Sequence, residues 1–461
     1  MVFSSPVFLF AFLPLTILLY YVLPGKAKNY VLLAMSLIFY AWGEPRLVLL
    51  MLLSIVVNYI LALFIEKAKA KPLRLTLVLI SVALNLGFLF YYKYFNFFVA
   101  TFMRVTGILL TENAVALPIG ISFYTFQIMS YVIDVYRGDV KAQKNPFYLG
   151  LYISLFPQLI AGPIVRYTDV EEQIRNRTLT VDKFYTGALR FMKGFAKKVL
   201  IADQLSPLVD TVFNNPIESM LLKWIAIIAY TLQIYYDFSG YSDMAIGLGK
   251  IFGFDFVENF NFPYVSKSVK EFWRRWHISL STWFRDYVYI PLGGSRKGTF
   301  RTYLNLCIVF LLTGFWHGAS WNFIFWGLFY AVFLVAERLG LSKILEKLPK
   351  WLQHFYALLV AVLGWVMFRA DHMGAAVAYY KGLVTWGPDE INSVIAIVNP
   401  LFWTAIVIGI VFAFPHDKIR ERLGKLKCGS AIRPIALSVL FVLAICFMTG
   451  AGFSPFLYFR F

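Results

Sequence analysis

The sequence predicts an all-α polytopic membrane protein, and three observations lead to that prediction. Of the 461 residues, 60% are hydrophobic and only 15% are charged, whereas a soluble protein of this length carries roughly 25% charged residues. Apolar runs recur from one end of the chain to the other. No long polar stretch could form a separate soluble domain, so we expect residues 1–461 to form a single membrane-embedded domain.

A series of apolar segments supplies the candidate membrane helices. A helix that crosses the bilayer needs about 20 residues, and several of the segments are shorter. We therefore expect about 11 transmembrane helices together with re-entrant and interfacial helices. The segments are Val7–Leu23, Tyr30–Trp42, Arg46–Ile65, Leu75–Tyr92, Leu117–Tyr136, Phe147–Ile164, Leu221–Tyr236, Tyr241–Phe256, Leu304–Trp316, Asn322–Ala336, Phe355–Phe368, Pro400–Phe414 and Ile435–Thr449.

Basic loops between these segments set the expected orientation. Lysine and arginine follow the first, third and fifth segments and precede the last. All four basic loops lie in the cytoplasm if the N-terminus lies outside, and the same count places the C-terminus outside. The first segment lacks a basic region before it and contains Pro14, so we expect a retained span and not a signal peptide.

Charge and cysteine content exclude several other classes of protein. The net charge of +18 is explained by the basic loops, and we see no soluble basic face for nucleic acid. The cysteines Cys307, Cys428 and Cys446 are scattered, which argues against a disulfide framework and a zinc site. No phosphate-binding loop, dinucleotide fingerprint, nucleophile elbow or metalloprotease motif occurs, and we expect no metal.

His317 is the first candidate for catalysis. It lies in Thr-Gly-Phe-Trp-His-Gly-Ala-Ser-Trp-Asn, between Leu304–Trp316 and Asn322–Ala336. The short run before it covers only about 20 Å of a bilayer core of about 30 Å, which predicts a histidine inside the membrane profile. Ionisable residues at such depth are functional candidates, and imidazole is suited to proton transfer near neutral pH. A histidine packed and hydrogen-bonded between helices is the alternative.

His277 is the second candidate, in a stretch rich in tryptophan and arginine. If residues 271–286 form one helix, His277 shares an apolar face with Trp273, Trp276, Leu280 and Phe284. The neighbouring arginines then face elsewhere, toward lipid phosphates or an anionic donor. An interfacial helix with a structural histidine is the alternative.

Other polar residues at depth mark candidate tunnel or substrate-lining positions. These are Asp237, Asn322 and Gln158, to which we add Trp316 beside His317. Each can instead serve a structural role by bonding across helices. Phe156–Ile164 carries two prolines and a glycine inside an apolar segment. Such breaks are tolerated where protein or water satisfies the backbone, so the sequence predicts an internal passage here.

Long motifs along the chain resemble the membrane-bound O-acyltransferase (MBOAT) family, in its bacterial branch for alginate and peptidoglycan O-acetylation. The resemblance spans nearly the whole chain and is densest from residue 237 to residue 322. The motifs are Phe-Tyr-Ala-Trp-Gly-Glu-Pro-Arg46, Phe-Pro-Gln-Leu-Ile-Ala-Gly-Pro-Ile-Val-Arg166, Asp237-Phe-Ser-Gly-Tyr-Ser-Asp243, Phe-Trp-Arg-Arg-Trp-His277, Tyr-Ile-Pro-Leu-Gly-Gly294 and Phe-Trp-His-Gly-Ala-Ser-Trp-Asn322.

This resemblance implies an MBOAT-like helical fold around a transmembrane tunnel, with the core at about residues 117–340. His317 matches the family's catalytic histidine, and His277 matches a second, upstream histidine of the bacterial branch. The implied donor is acetyl-CoA or another acyl thioester from the cytoplasm, with no bound cofactor. The implied partner, besides the lipid bilayer, is an extracytoplasmic SGNH-type acetyltransferase or a polysaccharide-synthesis complex, in the bacterial cytoplasmic (inner) membrane.

The C-terminal tail Phe-Leu-Tyr-Phe-Arg-Phe also resembles an aromatic motif of this acyl-transfer machinery, in which a tyrosine hydroxyl relays the acyl group. Tyr458 is the matching residue. An aromatic anchor at the bilayer interface is the alternative for the tail. For the whole chain, the alternatives are a transporter or flippase for a lipid-linked glycan and a non-catalytic scaffold of a polysaccharide-synthesis complex.

Overall fold

The computed structural model describes residues 1–113, 117–388, 394, 397–416, 429–451 and 456–457. In this part of the chain the regular secondary structure is helical, without a β-strand, as the composition predicts. The α-helices are α1 (Leu13–Val22), α2 (Lys28–Gly43), α3 (Val48–Lys67), α4 (Lys71–Leu89), α5 (Phe95–Thr106), α6 (Ile121–Arg137), α7 (Pro146–Ser154), α8 (Phe156–Leu159), α9 (Tyr167–Arg175), α10 (Val181–Lys197), α11 (Asp203–Asn214), α12 (Met220–Ile251), α13 (Val269–Arg275), α14 (Ile278–Phe284), α15 (Thr299–His317), α16 (Trp321–Ala336), α17 (Ser342–Leu345), α18 (Lys350–Arg369), α19 (Met373–Gly382), α20 (Pro400–Phe412) and α21 (Gly429–Ala451).

Several helices of the described chain are candidate membrane spans. Six helical segments there are long and apolar enough to cross a bilayer, and two shorter apolar helices accompany them, Phe8–Val22 and Pro400–Phe412. The chain is therefore a multi-pass membrane protein, while the predicted total of about 11 spans stays a prediction. The six segments are Val48–Lys67, Lys71–Thr106, Thr299–His317, Trp321–Leu345, Lys350–Arg369 and Ala431–Gly450.

The chain divides into two compact units. The first comprises Met1–Phe191 and Ser242–Val257, and the second comprises Met192–Tyr241 and Glu258–Phe461. Both candidate histidines belong to the second unit. The single membrane-embedded domain and the tunnel core at residues 117–340 stay predictions.

Helix α12 corrects the expected segmentation. The sequence predicted two segments, Leu221–Tyr236 and Tyr241–Phe256, but the structure has one helix of 32 residues. The polar interval between them is accommodated because Asp237 is ion-paired in the interior. Gly240 is required for close packing, since a Cβ there would lie 2.8 Å from the carbonyl oxygen of Gly194.

Helices α15 and α16 form a tightly packed hairpin, and α15 ends at His317. Gly314 and Gly327 face each other at the crossing, and a Cβ on Gly314 would collide with the carbonyl oxygen of Phe323. A Cβ on Gly327 would collide with the carbonyl oxygen of Phe310. Small residues at such crossings let helix backbones approach closely in a membrane. The pair of glycines therefore fixes the end of α15, and His317 with it, against α16.

The break predicted at Phe156–Ile164 is present in the first unit. Helix α7 ends at Ser154, α8 lasts four residues, and Ile160 to Arg166 are not helical. Gln158 is 2% exposed, and its Nε2 donates to the carbonyl oxygen of Tyr152 at 2.6 Å. This hydrogen bond satisfies one backbone group that the break releases from the helical ladder.

Candidate active site

His317 is the last residue of α15 and is buried, with 4% of its side chain exposed. Helix α15 begins at Thr299, five residues before the predicted apolar run, and its 19 residues cover about 28 Å. The argument for depth from a short run is therefore wrong. The candidacy of His317 rests instead on its burial among aromatic rings at the end of a candidate span.

An aromatic cage surrounds the imidazole of His317. The ring centroids of Trp326 and Phe368 lie 5.1 and 5.2 Å from that of His317, both edge-to-face. Trp273 packs on Trp326 with centroids 5.6 Å apart. The indole N–H groups of Trp326 and Trp273 are buried and donate to no other residue that the structure describes. The aromatic rings make the cage largely apolar, and the two indole N–H groups provide buried hydrogen-bond donors within it.

His277 lies at a break that the sequence did not predict. Residues 271–286 do not form the single helix on which the shared apolar face of His277 depended, because α13 ends at Arg275, Trp276 is extended, and α14 begins at Ile278. His277 adopts the left-handed conformation, with φ 44° and ψ 55°. This region is costly for a residue with a Cβ and is over-represented at functional sites. His277 is nevertheless fully buried.

The break at His277 is stabilised by groups from elsewhere in the chain. At the start of α13, the Glu337 carboxylate accepts from Val269 N at 2.6 Å and Lys270 N at 3.0 Å. At the start of α14, the backbone oxygen of Asn259 accepts from Ile278 N and its Oδ1 accepts from Ser279 N. These bonds satisfy helix-terminal N–H groups that have no intrahelical acceptor. They hold both short helices, and the intervening histidine, in place.

Trp316 connects the two histidines. Its ring centroid lies 4.9 Å from His317 and 6.0 Å from His277, and both contacts are edge-to-face. Phe238 of α12 packs on His277, with the two ring centroids 4.7 Å apart. The structure therefore brings His277, which precedes α14, into one buried group with Trp316 and His317 at the end of α15.

Burial determines the protonation of His277. The loss of solvent around the imidazole lowers the pKa of His277 to about 3, because a cation is poorly stabilised where water is excluded. At neutral pH the ring is therefore uncharged and retains one nitrogen lone pair. It can accept a proton or a hydrogen bond.

A buried ion pair lies on the same helix turn as Phe238. Lys198 Nζ lies 2.6 Å from Asp237 Oδ1 and 2.7 Å from Asp203 Oδ1. Burial opposes the charge of Lys198, but the two carboxylates outweigh it and raise the pKa of the ammonium group. The structure exposes Lys193 and buries Lys198, because Lys198 begins a π-helical turn after α10.

Phe456 and Leu457 of the C-terminal tail dock on this ion pair. Leu457 N donates to Asp237 Oδ2 at 2.9 Å, and both Phe456 and Leu457 are buried. Lys198 Nζ lies 4.7 Å from the ring centroid of Phe456, which also meets the ring of Tyr241 edge-to-face at 4.9 Å. Tyr458, the predicted relay, lies outside the described residues. The residues immediately before it contact the α12 turn that also carries Phe238.

The remaining predicted lining residues have identifiable structural contacts. Asn322 is buried, and its Nδ2 donates to the carbonyl oxygen of Ala370 at 2.6 Å, which links the start of α16 to the end of α18. Gln158 belongs to the first unit. The described residues contain no group of three or more histidine, cysteine or acidic side chains that could hold a metal ion.

Sequence reasoning missed Asn259, Trp326 and Lys198. Asn259 lies in a loop of mixed composition, and its role depends on residues about 20 positions later in the chain. Trp326 looks like any apolar residue of a membrane helix. Lys198 carried one signal that could have revealed it, a lysine flanked on its C-terminal side by the apolar run Val199–Ala202.

The chain is similar to known proteins over the region that contains both candidate histidines. A model of the membrane-bound O-acyltransferase family matches residues 35–368, which include both histidines. The chain is 41% identical to a probable alginate O-acetylase of Azotobacter vinelandii over 100% of both proteins. It is 47% identical to a probable alginate O-acetylase of Pseudomonas aeruginosa, over 85% of this chain and 77% of that protein. It is 36% identical to a peptidoglycan O-acetyltransferase of Helicobacter pylori, over 83% and 80%.

Proposed function

This chain belongs to the membrane-bound O-acyltransferase family, and from that premise we propose that it moves an acetyl group across the membrane for O-acetylation of a cell-surface or exported polysaccharide. The donor is a cytoplasmic thioester, acetyl-CoA or a related acyl carrier. The acceptor is an alginate-like glycan or peptidoglycan. One observation carries the proposal, namely that His277 and His317 both contact the ring of Trp316 in a buried group.

His317 acts as the general base in the proposed reaction. Its imidazole takes the proton from the acceptor hydroxyl, and the hydroxyl oxygen attacks the thioester carbonyl carbon. The carbon–sulfur bond then breaks, and the thiolate leaves with the proton from the imidazolium. The buried N–H of Trp326 is a suitable donor for the oxygen on which charge develops in the transition state. His277, uncharged at neutral pH, orients a reactant or assists the proton transfer.

Transfer across the membrane requires the two substrates to approach from opposite sides. We place the protein in the bacterial cytoplasmic membrane with both termini outside, as the basic loops indicate. Only the acyl group then crosses, through a tunnel lined by residues of the second unit that include Asp237, Trp316 and Asn322. An SGNH-type acetyltransferase outside the membrane, or a polysaccharide-synthesis complex, receives the acyl group.

The C-terminal tail provides the proposed relay. Phe456 and Leu457 are docked on the Lys198–Asp237 ion pair, and Tyr458 follows directly in the chain. Its hydroxyl can accept the acyl group as an ester and pass it to the external transferase. The docking of Phe456 and Leu457 supports this proposal because these two residues directly precede Tyr458 in the chain.

Reconstitution tests the proposed reaction. The purified protein is reconstituted in liposomes. Radiolabelled acetyl-CoA is added on the side of its cytoplasmic face, and the external transferase and its glycan are present on the opposite side. Wild-type protein should acetylate the glycan, and His317→Ala should reduce the rate by about 10²- to 10⁴-fold. His372→Asn is the matched control, because His372 is exposed and Asn retains the acceptor that caps α19.

The outcome also separates the alternative functions. A flippase or transporter would move the lipid-linked glycan without acetylating it, and a scaffold would leave acetylation unchanged in His317→Ala. Either result would overturn the enzyme proposal, provided that the variant remains folded by its unfolding midpoint in detergent.

A further inference from the structure

The side chain of Asn259 collects three contacts at one oxygen atom. Asn259 Oδ1 lies 3.2 Å from Ser279 N, 2.9 Å from Ser279 Oγ and 3.2 Å from His277 Nδ1. All three residues are buried, and Asn259 is fully so. The oxygen therefore meets the first turn of α14 and the imidazole of His277 at the same time.

The backbone determines which end of the amide faces this group. Ser279 N–H can only donate, so the amide atom opposite it must be the oxygen and not the nitrogen. A flipped amide would set two N–H groups against each other in a buried site. The amide Nδ2 makes no hydrogen bond to another described residue, which shows that the orientation is set by the oxygen side.

The oxygen in turn determines where His277 carries its proton. An amide oxygen has no hydrogen to give, so a close contact with Nδ1 requires that Nδ1 be the donor. A neutral imidazole with a proton on Nδ1 has its lone pair on Nε2. We propose that Asn259 is a positioning residue that fixes His277 in the Nδ1-protonated tautomer and makes Nε2 the only acceptor of the ring.

The backbone conformation of His277 agrees with this division of roles. His277 is the N-cap residue of α14, but its own side chain caps nothing. Asn259 Oδ1 accepts from the second residue of the helix, as an N-cap side chain ordinarily does. The imidazole is thereby released from capping and directed toward Phe238 and Trp316. Asn259 both supplies the cap and orients the ring.

The titratable groups near His277 lie on α12 and α15. On α12, Asp237 precedes Phe238 and is neutralised by Lys198. On α15, His317 contacts the ring of Trp316, which also contacts His277. Asn259 contributes no charge, so replacing it by a carboxylate is the sharpest change that the site allows. The carboxylate retains an acceptor for both Ser279 groups, so the start of α14 is preserved.

Nitrogen NMR of protein with ¹⁵N-labelled histidine, in lipid bilayers, reads the tautomer directly. The resonance of His277 is the one lost in His277→Gln, or the one that remains when the four other histidines are replaced by glutamine. We expect a protonated Nδ1 and an unprotonated Nε2 at pH 7. A protonated Nε2, or a mixture of the two tautomers, would overturn the proposal.

The variant Asn259→Asp tests the coupling between the two residues. A carboxylate facing Nδ1–H stabilises the imidazolium, so the titration midpoint of His277 should rise by about one pH unit or more. Asn261→Asp is the matched control, since Asn261 is exposed two residues away, and its midpoint should match that of wild type. An unchanged midpoint in Asn259→Asp would show that Asn259 does not govern the ring.

Activity separates this inference from the proposed function on which its catalytic meaning rests. In Asn259→Leu the acceptor is lost and both tautomers become accessible, so acetyl transfer should fall at least about 10-fold. If the NMR result is as expected and wild type transfers no acetyl group, the positioning role stands and the proposed function fails. If transfer occurs and the tautomer is Nε2-protonated, the proposed function stands and the positioning role fails.

Discussion

Lys198 and Asp237 form an ion pair of 2.6 Å in which each side chain is only 2% exposed. Removing one partner of a buried pair leaves an uncompensated charge and costs about 3–5 kcal/mol. Lys198→Met should therefore lower the free energy of unfolding by that amount, measured by denaturation in detergent. Lys193→Met, at an exposed lysine of α10, should change it by less than about 0.5 kcal/mol. Equal values for the two variants would contradict the ion-pair assignment.

The crossing of α15 and α16 depends on the absence of side chains at two glycines. Gly314→Ala and Gly327→Ala should each destabilise the protein by about 1–3 kcal/mol, because the added methyl group meets a carbonyl oxygen of the facing helix. Acetyl transfer should fall as well, since the crossing holds the end of α15. Gly87→Ala is the control, because no atom lies within 4 Å of its Cβ position. If Gly314→Ala changed neither stability nor acetyl transfer, close packing of α15 on α16 at Gly314 would be contradicted.

Trp316 supports both imidazoles, and its size should matter more than its indole nitrogen. Trp316→Phe retains an aromatic ring between the contacts with His277 and His317 and should preserve most of the activity. Trp316→Ala leaves a cavity and should cost about 3–5 kcal/mol of stability. It should also abolish acetyl transfer. Comparing unfolding midpoints and initial rates for the two variants checks this, and equal activity in both would exclude a supporting role.

The buried, uncharged state of His277 makes stability depend on pH. Its pKa is about 3 in the folded protein and about 6.5 in the unfolded chain, so the unfolded chain binds the proton more tightly. Acidification from about pH 6.5 toward pH 3 should therefore progressively destabilise the fold. The imidazole contributes no further change below pH 3. In His277→Asn this part of the pH dependence should disappear, as read from unfolding midpoints over that range, and its persistence would assign it to other groups.

Tyr458 tests the relay without disturbing the docking of the tail. Tyr458→Phe keeps the ring and removes the hydroxyl, so acyl transfer to the external acceptor should be lost. Limited proteolysis of a C-terminally tagged protein should show the same protection of the tail as in wild type. Unchanged transfer in this variant would exclude Tyr458 as an acyl carrier. Tyr185→Phe, at an exposed tyrosine of α10, is the matched control.

Local patterns in the sequence were sufficient to predict the class of protein and to single out two histidines as candidates. Apolar runs predict membrane helices because each helix satisfies its own backbone hydrogen bonds in lipid, and this holds whatever the neighbours are. His277 and His317 stood out because ionisable residues are rare in such surroundings. The motifs around them also carried the family resemblance, which the comparisons confirm.

The arrangement of the site required the tertiary structure. Whether residues 271–286 form one helix or two depends on Asn259 and Glu337, which cap helix ends from distant positions in the chain. Whether Lys198 is a surface lysine or a buried cation depends on Asp237, some 40 residues later. A sequence pattern reports the preference of each segment for lipid or water. It does not report which polar groups from distant segments will contact each other in the interior. Those contacts determine the helix break at His277, the orientation of its ring, and the docking of Leu457 on Asp237.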